Sequence, residues 1–566
     1  MRTPRTAAGS AASAGAATGA AANGSAATPG PGHADGKDAA HHAGDPAAGG
    51  DARDPGNARI PLQQPPARSP LAFLRLHWVA ALLLAAGLGL RVLVQFSYSP
   101  ALLYIDSVKY LYGAWPGADP LGYDVPLKLI LLVGNLSAVE VVQHLLGLAM
   151  AVTLYLLLRR RDVPRWLAAL AMGPVLLDAY QLEMEATIMP DVWFEALIVA
   201  GLAILLWRPR TTVRLCVLAG VVLGLSATVR QVGEVLVVPA LIFVLAGAGG
   251  WRQAITKSAA MIIAFAVPVV AYCSGSYALT GNFWLSRNGD QATYGRMAAL
   301  ADCATLKLPS YEKPLCPTPR QQATGPDWLD HGINSPLRKY VQPADLVRSH
   351  VISDFNRRVE TQQPLRVLGR ISSDAVKLFA VARSTSPGDT PISRWQFHAT
   401  YPHYLPTVYT DRQGTIIFAL KLAVAGGPTI YRKLDTSLGG NSHVLTPGTQ
   451  FLRRYQLYGG YAPGPLMLLA VLAGLAGSLT IFRRRASFAQ RQLALGALLV
   501  FSTGVAVLII SDLFEFSWRY QLPALVTLPA AGAFGIEAAL RFARRRKTSR
   551  IADSARQEQR VTARAG

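Results

Sequence analysis

Apolar residues gather along this chain into runs of about 17–22 positions, the length that crosses a bilayer as a helix. Ten such runs are predicted: Leu76–Phe96, Ala138–Leu158, Trp166–Gln181, Val192–Trp207, Val213–Val229, Val235–Ala248, Ala259–Tyr277, Pro463–Phe482, Leu493–Ile510 and Tyr520–Leu540. A shorter apolar stretch, Pro126–Leu136, dips toward the membrane. From about 278 to 460 the apolar runs stop, and the chain turns polar and rich in Pro, Gly, Arg and Tyr. The predicted fold is an all-α polytopic membrane protein of about ten transmembrane helices, carrying a mixed α/β or irregular extracytoplasmic domain.

Five regions follow. Residues 1–70 are built from Ala, Gly, Pro, Ser and Thr, with no aromatic residue before Phe73, a composition that buries no core and predicts disorder. No apolar signal-peptide core follows Met1, and His33, His41 and His42 read as bystanders on this tail. Residues 71–277 form an N-terminal transmembrane module with its first outer loop, 278–460 the extracytoplasmic domain, 461–542 the C-terminal transmembrane helices and 543–566 a basic tail.

Composition narrows the class. Of the 566 residues, 51% are hydrophobic and only 16% charged, against about 25% charged in a typical soluble domain. That excludes a disordered protein and argues against a soluble enzyme. The net charge of +22 would suggest nucleic acid in a soluble chain. Here the basic residues sit between and beyond the apolar runs, where they fix topology and touch anionic lipid, so membrane lipids and not nucleic acid are the expected partners. The clusters at Arg159–Arg161, Arg208–Arg214, Arg252–Lys257, Arg483–Arg485 and Arg544–Lys547 fall on one side if both termini are cytoplasmic. The 278–460 region is then outside, with Asp106, Glu183, Glu185, Asp191, Arg230, Glu234, Asp512, Glu515 and Arg519 at the outer membrane edge. Simple charge asymmetry is one reading. The other is an outward-facing polar site, since ionisable groups at such a depth are costly and usually functional.

Four outer segments carry candidate chemistry. In Tyr104–Tyr110, Asp106 can accept a proton from a hydroxyl, with Lys109 and Tyr110 beside it. In Leu182–Asp191, the carboxylates Glu183, Glu185 and Asp191 suit a divalent cation, sugar hydroxyls or general-base work, although Glu183 reads equally as an interfacial anchor. In Ser226–Glu234, Arg230 wants a carboxylate or phosphate, or simply pairs with Glu234 one helical turn on. In Phe516–Pro523, Arg519 and Tyr520 suit a lipid phosphate or an aromatic belt. Cys303 and Cys316, 13 positions apart outside the membrane, are placed to form a disulfide. Cys216 and Cys273 belong to the spans as small hydrophobes. No metal spacing and no phosphate-binding glycine loop occur in the sequence.

The order of these segments resembles a known superfamily. Asp106 in the first outer loop is followed by Gly122-Tyr123-Asp124-Val125-Pro126, then by Asp191 opening the fourth span, Arg230 after a Gly-rich fifth span, and Arg519-Tyr520-Gln521-Leu522-Pro523 opening the last. This layout, over about residues 71–545, resembles the GT-C integral-membrane glycosyltransferases, in the branch of protein O-mannosyltransferases and aminoarabinose transferases. The chain departs from that pattern where Ser107 follows Asp106 in place of a second acid, where Asp191 stands for a common Glu, and in lacking a sequon-binding motif. The resemblance implies an inverting transfer from a polyprenyl-phosphate sugar donor to an extracytoplasmic acceptor. Asp106 would take the acceptor proton and Arg230 and Arg519 would neutralise the phosphate. Asp191 would orient the sugar or share a cation with Asp106. A transporter or flippase, or a non-catalytic envelope scaffold, are the competing readings; the chain shows no internal repeat of the kind transporters carry.

Overall fold

In lipid a leucine- and alanine-rich run satisfies its backbone only as a helix, and each predicted run becomes one. The computed structural model describes residues 75–565, apart from 114–116, 118, 405–406, 422–428 and 484–485. The 1–70 stretch with its histidines lies outside the described residues, as do Arg484 and Arg485.

Helix α1 (Trp78–Ser97) leads into a short strand β1 (Tyr98–Ser99), then α2 (Ser107–Tyr112), α3 (Asp124–Leu131), α4 (Leu136–Arg160), α5 (Arg165–Leu177), α6 (Ala179–Ala186), α7 (Asp191–Leu206), α8 (Val213–Val229), a 3₁₀ turn (Gln231–Leu236), α9 (Val237–Gly247) and α10 (Trp251–Thr280). The outer region adds α11 (Gly289–Leu300), α12 (Pro319–Gln322), α13 (Pro326–His331), α14 (Pro336–Lys339), α15 (Arg348–Gln362) and α16 (Pro364–Lys377). Strands β2 (Val408–Thr410), β3 (Ile416–Lys421), β4 (Thr429–Lys433) and β5 (His443–Val444) and helix α17 (Thr446–Leu457) complete it. Then come α18 (Gly464–Leu479), α19 (Phe488–Phe514) and α20 (Pro523–Ala565), so the backbone of the basic tail continues the last helix.

Among the described residues, six helices are long and apolar enough to cross a membrane: Trp78–Ser97, Leu136–Arg160, Trp251–Thr280, Gly464–Phe482, Phe488–Phe514 and Trp518–Arg544. The other four predicted spans are shorter helices, and polar residues end two of them. Asp178 stops α5, caps Tyr180 at the start of α6, and is held by Arg383 at 2.5 Å. Arg230 leaves the helix for extended backbone and so ends α8. The predicted dipping stretch is α3 and the turn after it, where Val125, Leu129, Leu132 and Val133 are exposed and suit the membrane interface.

Lipid is as apolar as leucine, so small residues and buried polar pairs hold the helices together. The apolar window of the last span is 83% buried, whereas that of α10 is 11% buried, placing α20 at the centre of the bundle and α10 at its lipid-facing edge. Gly535 of α20 lies against the Ala473 backbone of α18, so close that a Cβ would strike the carbonyl. Inside the N-terminal helices, Arg91 of α1 is 1% exposed and pairs with Glu185 of α6 at 2.7 Å. It also donates to the Val175 and Leu176 carbonyls. His144 of α4 reaches the other Glu185 oxygen at 3.0 Å, and Gln143 donates to the Glu185 and Thr187 carbonyls. This network fixes the stretch that leads into α7.

The outer region has its own core, with Tyr294, Met297, Leu315, Leu329 and Phe355 fully buried. It contains a three-stranded antiparallel sheet in the order β2-β3-β4, and β5 pairs antiparallel with β1, tying the region to the end of α1. Cys303 and Cys316 are joined by a disulfide here. Cys216 and Cys273 are free and buried.

The packing predicts opposite effects of one substitution at two helical glycines. Gly535→Ala should lower the thermal midpoint in detergent, since overpacking typically costs about 1–3 kcal/mol. Gly173→Ala, which meets nothing within 4 Å, should leave the midpoint unchanged or raise it, with a stability gain of up to about 1 kcal/mol from helix propensity. A Gly535→Ala protein as stable as the parent would refute the close α18–α20 contact.

Candidate active site

Four chain breaks converge at one end of the bundle. The loop carrying Asp106 is pinned to the segment before α7: Leu102 donates to the Ala186 carbonyl at 2.9 Å, Ile188 donates back to Leu102 at 3.0 Å, and the Ser107 hydroxyl donates to Ile188 at 2.9 Å. The Ser107 hydroxyl also accepts from the Tyr104 N–H, closing the turn around Asp106. Gly122 donates to the Thr228 carbonyl at 2.9 Å, and a Cβ at Gly122 would lie 2.6 Å from that oxygen. That contact holds the first outer loop against the end of α8, where Arg230 emerges.

Asp191 is the hub. It is the first residue of α7, where the helix dipole favours a carboxylate. Arg519 embraces it, Nε lying 3.0 and 3.1 Å from its two oxygens and Nη2 2.9 Å from Oδ2. Arg230 donates to the same carboxylate from the extended segment that follows α8. The remaining arm of Arg519, Nη1, reaches Asp106 Oδ2 at 3.3 Å. Lys109 lies 3.6 Å from Asp106 and 2.6 Å from Asp119, which accepts a further hydrogen bond from Asn288. Aromatic rings flank the cations: Arg519 lies 5.3 Å from the Trp395 ring and Arg230 4.9 Å from Tyr520.

These groups open on a cavity of about 460 Å³ lined by Asp106, Lys109, Tyr110, Arg230, Arg519 and Tyr520 from the predicted set. Tyr104, Asp119, Asp327, Asp330, His331, Arg394, Trp395 and Glu515 complete its polar wall. Arg394 bonds Asp327 at 3.0 Å and Tyr104 at 3.4 Å. Glu515 accepts from the Thr390 hydroxyl. Cations and carboxylates thus alternate along its wall, Arg519 and Lys109 beside Asp106 and Arg394 beside Asp327.

The two carboxylates that face it differ. Burial would raise the Asp106 carboxyl, but Lys109 and Arg519 outweigh it and hold it down to about 2. Burial, with Asp327 beside it, pushes Glu515 up to about 7 against the opposing pull of Thr390, Arg394 and Arg296. Asp106 is therefore ionised across the physiological range, whereas Glu515 titrates within it.

Not all of the predicted residues line the cavity. Asp191 does not line the cavity but sits behind it, 2% exposed, and positions the two arginines. Arg230 pairs with Asp191 and not with Glu234, which is outside the cavity lining. Glu183 and Glu185 also stand apart from the cavity: Glu185 is committed to Arg91 and His144, and Glu183 accepts from Thr187 at 3.3 Å within its own turn. The missed signal was Arg91 itself, an arginine inside the first apolar run that requires a buried acid. Asp327 and Arg394 were missed as site residues because the 278–460 region offers no periodicity to anchor them, whereas Glu515 reads in the sequence only as one of the charged groups at the membrane edge. Among the described residues, no group of three or more His, Cys, Asp or Glu is placed to hold a metal ion.

Asp191→Asn tests the hub. Removing the charge while keeping the shape leaves two arginines sharing a neutral amide, and breaking a buried pair in this way typically costs about 3–5 kcal/mol. The thermal midpoint should fall, and added pyrophosphate should recover more of it than in the parent. An unchanged midpoint would show that the arginines do not depend on this carboxylate.

No protein-family model matches the sequence, and no curated protein matches it. Among solved structures, the chain is similar to the protein O-mannosyltransferase Pmt1–Pmt2 complex of S. cerevisiae bound to its sugar donor, at 15% identity over 39% of this chain and 36% of that one, with a TM-score of 0.30. It is similar to the oligosaccharyltransferase AglB of Archaeoglobus fulgidus in complex with an inhibitory peptide and a dolichol-phosphate, at 13% identity over 85% and 52%, with a TM-score of 0.35. It is also similar to ArnT of Cupriavidus metallidurans bound to undecaprenyl phosphate, at 14% identity over 82% and 78%, with a TM-score of 0.30. The chain spans about a third to a half of the first two. Likeness at this level carries no assignment of function, which rests on the residues themselves.

Proposed function

We propose that this protein is an integral-membrane glycosyltransferase that moves a sugar from a polyprenyl-phosphate carrier to a hydroxyl of an extracytoplasmic acceptor, with inversion at the anomeric carbon. The observation that carries the reading is the Asp191-held pair Arg230 and Arg519 beside Asp106 in one cavity at the helix ends. One carboxylate shared by two guanidinium groups leaves a net positive charge, and guanidinium geometry matches phosphate oxygens. The polyprenyl tail would lie among the apolar helices, and the cavity would open to the extracytoplasmic side with both termini in the cytoplasm.

In the transfer, the acceptor O–H gives its proton to Asp106 as its oxygen bonds the anomeric carbon. The bond from that carbon to the phosphate oxygen breaks, and its electron pair leaves on the phosphate, where Arg230 and Arg519 neutralise the growing charge. In the free protein Asp106 is a weak base because its two cations hold its proton affinity low. A phosphate on Arg519 offsets part of that field, so donor binding raises the basicity of Asp106 when the proton must move. Tyr520 and Trp395 keep the guanidinium planes in place.

Purified protein in nanodiscs with an undecaprenyl-phosphate-linked sugar and cell-envelope acceptor fractions tests the reading. Asp106→Asn should abolish transfer, with donor affinity retained, and Arg519→Lys should weaken donor binding at least tenfold, about 1.4 kcal/mol. Parental activity in Asp106→Asn would contradict the reading and favour a non-catalytic role for the cavity.

The Glu515 carboxyl yields a second prediction. A phosphodiester donor carries a constant charge between pH 6 and 8, whereas Glu515 gains one as pH rises through about 7. Donor affinity should therefore fall several-fold across this interval, a repulsion on the order of 1 kcal/mol. Glu515→Gln should flatten the profile, and a persisting pH dependence in that variant would place the titrating group elsewhere.

A further inference from the structure

A second cavity, of about 500 Å³, lies on the far side of the Asp106 turn, between α2 and the three-stranded sheet. It is lined by Tyr112, Thr407, Ala419, Thr429 and Tyr431 together with the α2 turn. Its volume falls within the roughly 300–1,000 Å³ of small-molecule sites. Asp106, Lys109 and Ile105 are shared by both linings. The side chains of Asp106 and Lys109 are 34% and 32% exposed, so each is accessible from the cavities they separate.

The lining is distinctive. Tyr431 is 64% exposed on β4 and meets Tyr409 of β2 edge-on at 6.5 Å. The Tyr112 ring is fixed between Arg432, 4.6 Å from its centroid, and Phe418 at 5.4 Å. One exposed ring on the sheet, Tyr431, with two threonines, one carboxylate and one ammonium forms a surface on which a polyhydroxylated ring lays its C–H face against tyrosine and its hydroxyls against the polar groups. None of the arginines that make the first cavity suit a phosphate belongs to this lining.

The geometry points to the second cavity as the acceptor subsite, and to a neutral glycan as the acceptor, with the exposed Tyr431 ring as its platform. This inference rests on the glycosyltransferase reading above. The acceptor hydroxyl approaches Asp106 from the sheet side and loses its proton there. The donor carbon approaches from the arginine side, and its bond to phosphate breaks with the electron pair leaving on the phosphate oxygen. Asp106 thus lies where the two cavities meet, beside the acceptor oxygen, which reaches the anomeric carbon on the face opposite the leaving phosphate, as inversion requires.

Direct binding tests the assignment without depending on turnover. Saturation-transfer NMR on the full chain in nanodiscs, with neutral gluco-, manno- and galacto-hexasaccharides and a Ser/Thr-containing decapeptide as probes, should show binding of at least one hexasaccharide and not of the peptide. Tyr431→Ala, an exposed position that folding tolerates, should weaken that binding at least tenfold, and Tyr431→Phe should restore it. Undecaprenyl phosphate binding, measured in parallel, should be unaffected by Tyr431→Ala and lost in Arg519→Ala. Failure of every hexasaccharide to bind, preference for the peptide, or full affinity in Tyr431→Ala would overturn the acceptor assignment. Loss of the undecaprenyl phosphate result alone would instead count against the donor reading.

Discussion

A single carboxylate, Asp191, shared by two arginines from different parts of the chain, sets the character of this protein. Arg519 is 328 positions away in sequence and Arg230 is 39, yet both end on the same carboxylate, Arg519 on both oxygens and Arg230 on Oδ1. Two buried cations would repel each other and destabilise the helix ends. With the carboxylate between them they form a compact cluster carrying one surplus positive charge, and that surplus draws in Asp106 through the free arm of Arg519. The cluster therefore brings the first outer loop, the start of α7, the end of α8 and the start of the last span to one place. The Arg91–Glu185–His144 network does the deeper work of fixing the chain just before Asp191.

Under the proposed reading, this arrangement holds the site poised until a donor binds. Asp106 is engaged by Lys109 and Arg519 at once, and a carboxylate so engaged has little affinity for a proton. An anion that takes over Arg519 releases it. Under the proposed reading, substrate binding and base activation are coupled through one guanidinium, a coupling that lysine, with its single point charge, would not reproduce.

The sequence made the architecture legible because length and hydropathy in a membrane translate almost directly into helices. The ionisable residues at the outer ends of the runs were legible for the same reason: charge at that depth is expensive, so Asp106, Arg230 and Arg519 stood out and the structure brings them together. Glu183 and Glu185 stood out on the same grounds, yet face inward, because sequence position gives depth but not direction around a helix. Their partners lie on other helices, and only packing reveals that Glu185 belongs to Arg91. Asp191 was legible as important but not as hidden, since whether a carboxylate faces substrate or supports the residues that do depends on what stands in front of it. The sheet beyond α2 and the Asp327–Arg394 wall were invisible, because short strands and turns in the outer region leave no periodic trace.

The central claim is that the Asp191-held arginine pair is the seat of a lipid-linked phosphate. The most direct measurement is a cryo-EM structure of the full chain in a lipid nanodisc with undecaprenyl phosphate. The account predicts density for the phosphate within hydrogen-bond distance of both Arg230 and Arg519, with Asp191 still holding the two guanidinium groups from behind and Asp106 freed from Arg519. A phosphate bound instead at the basic clusters on the opposite side of the bundle, with the Asp106–Arg519 contact intact, would contradict it.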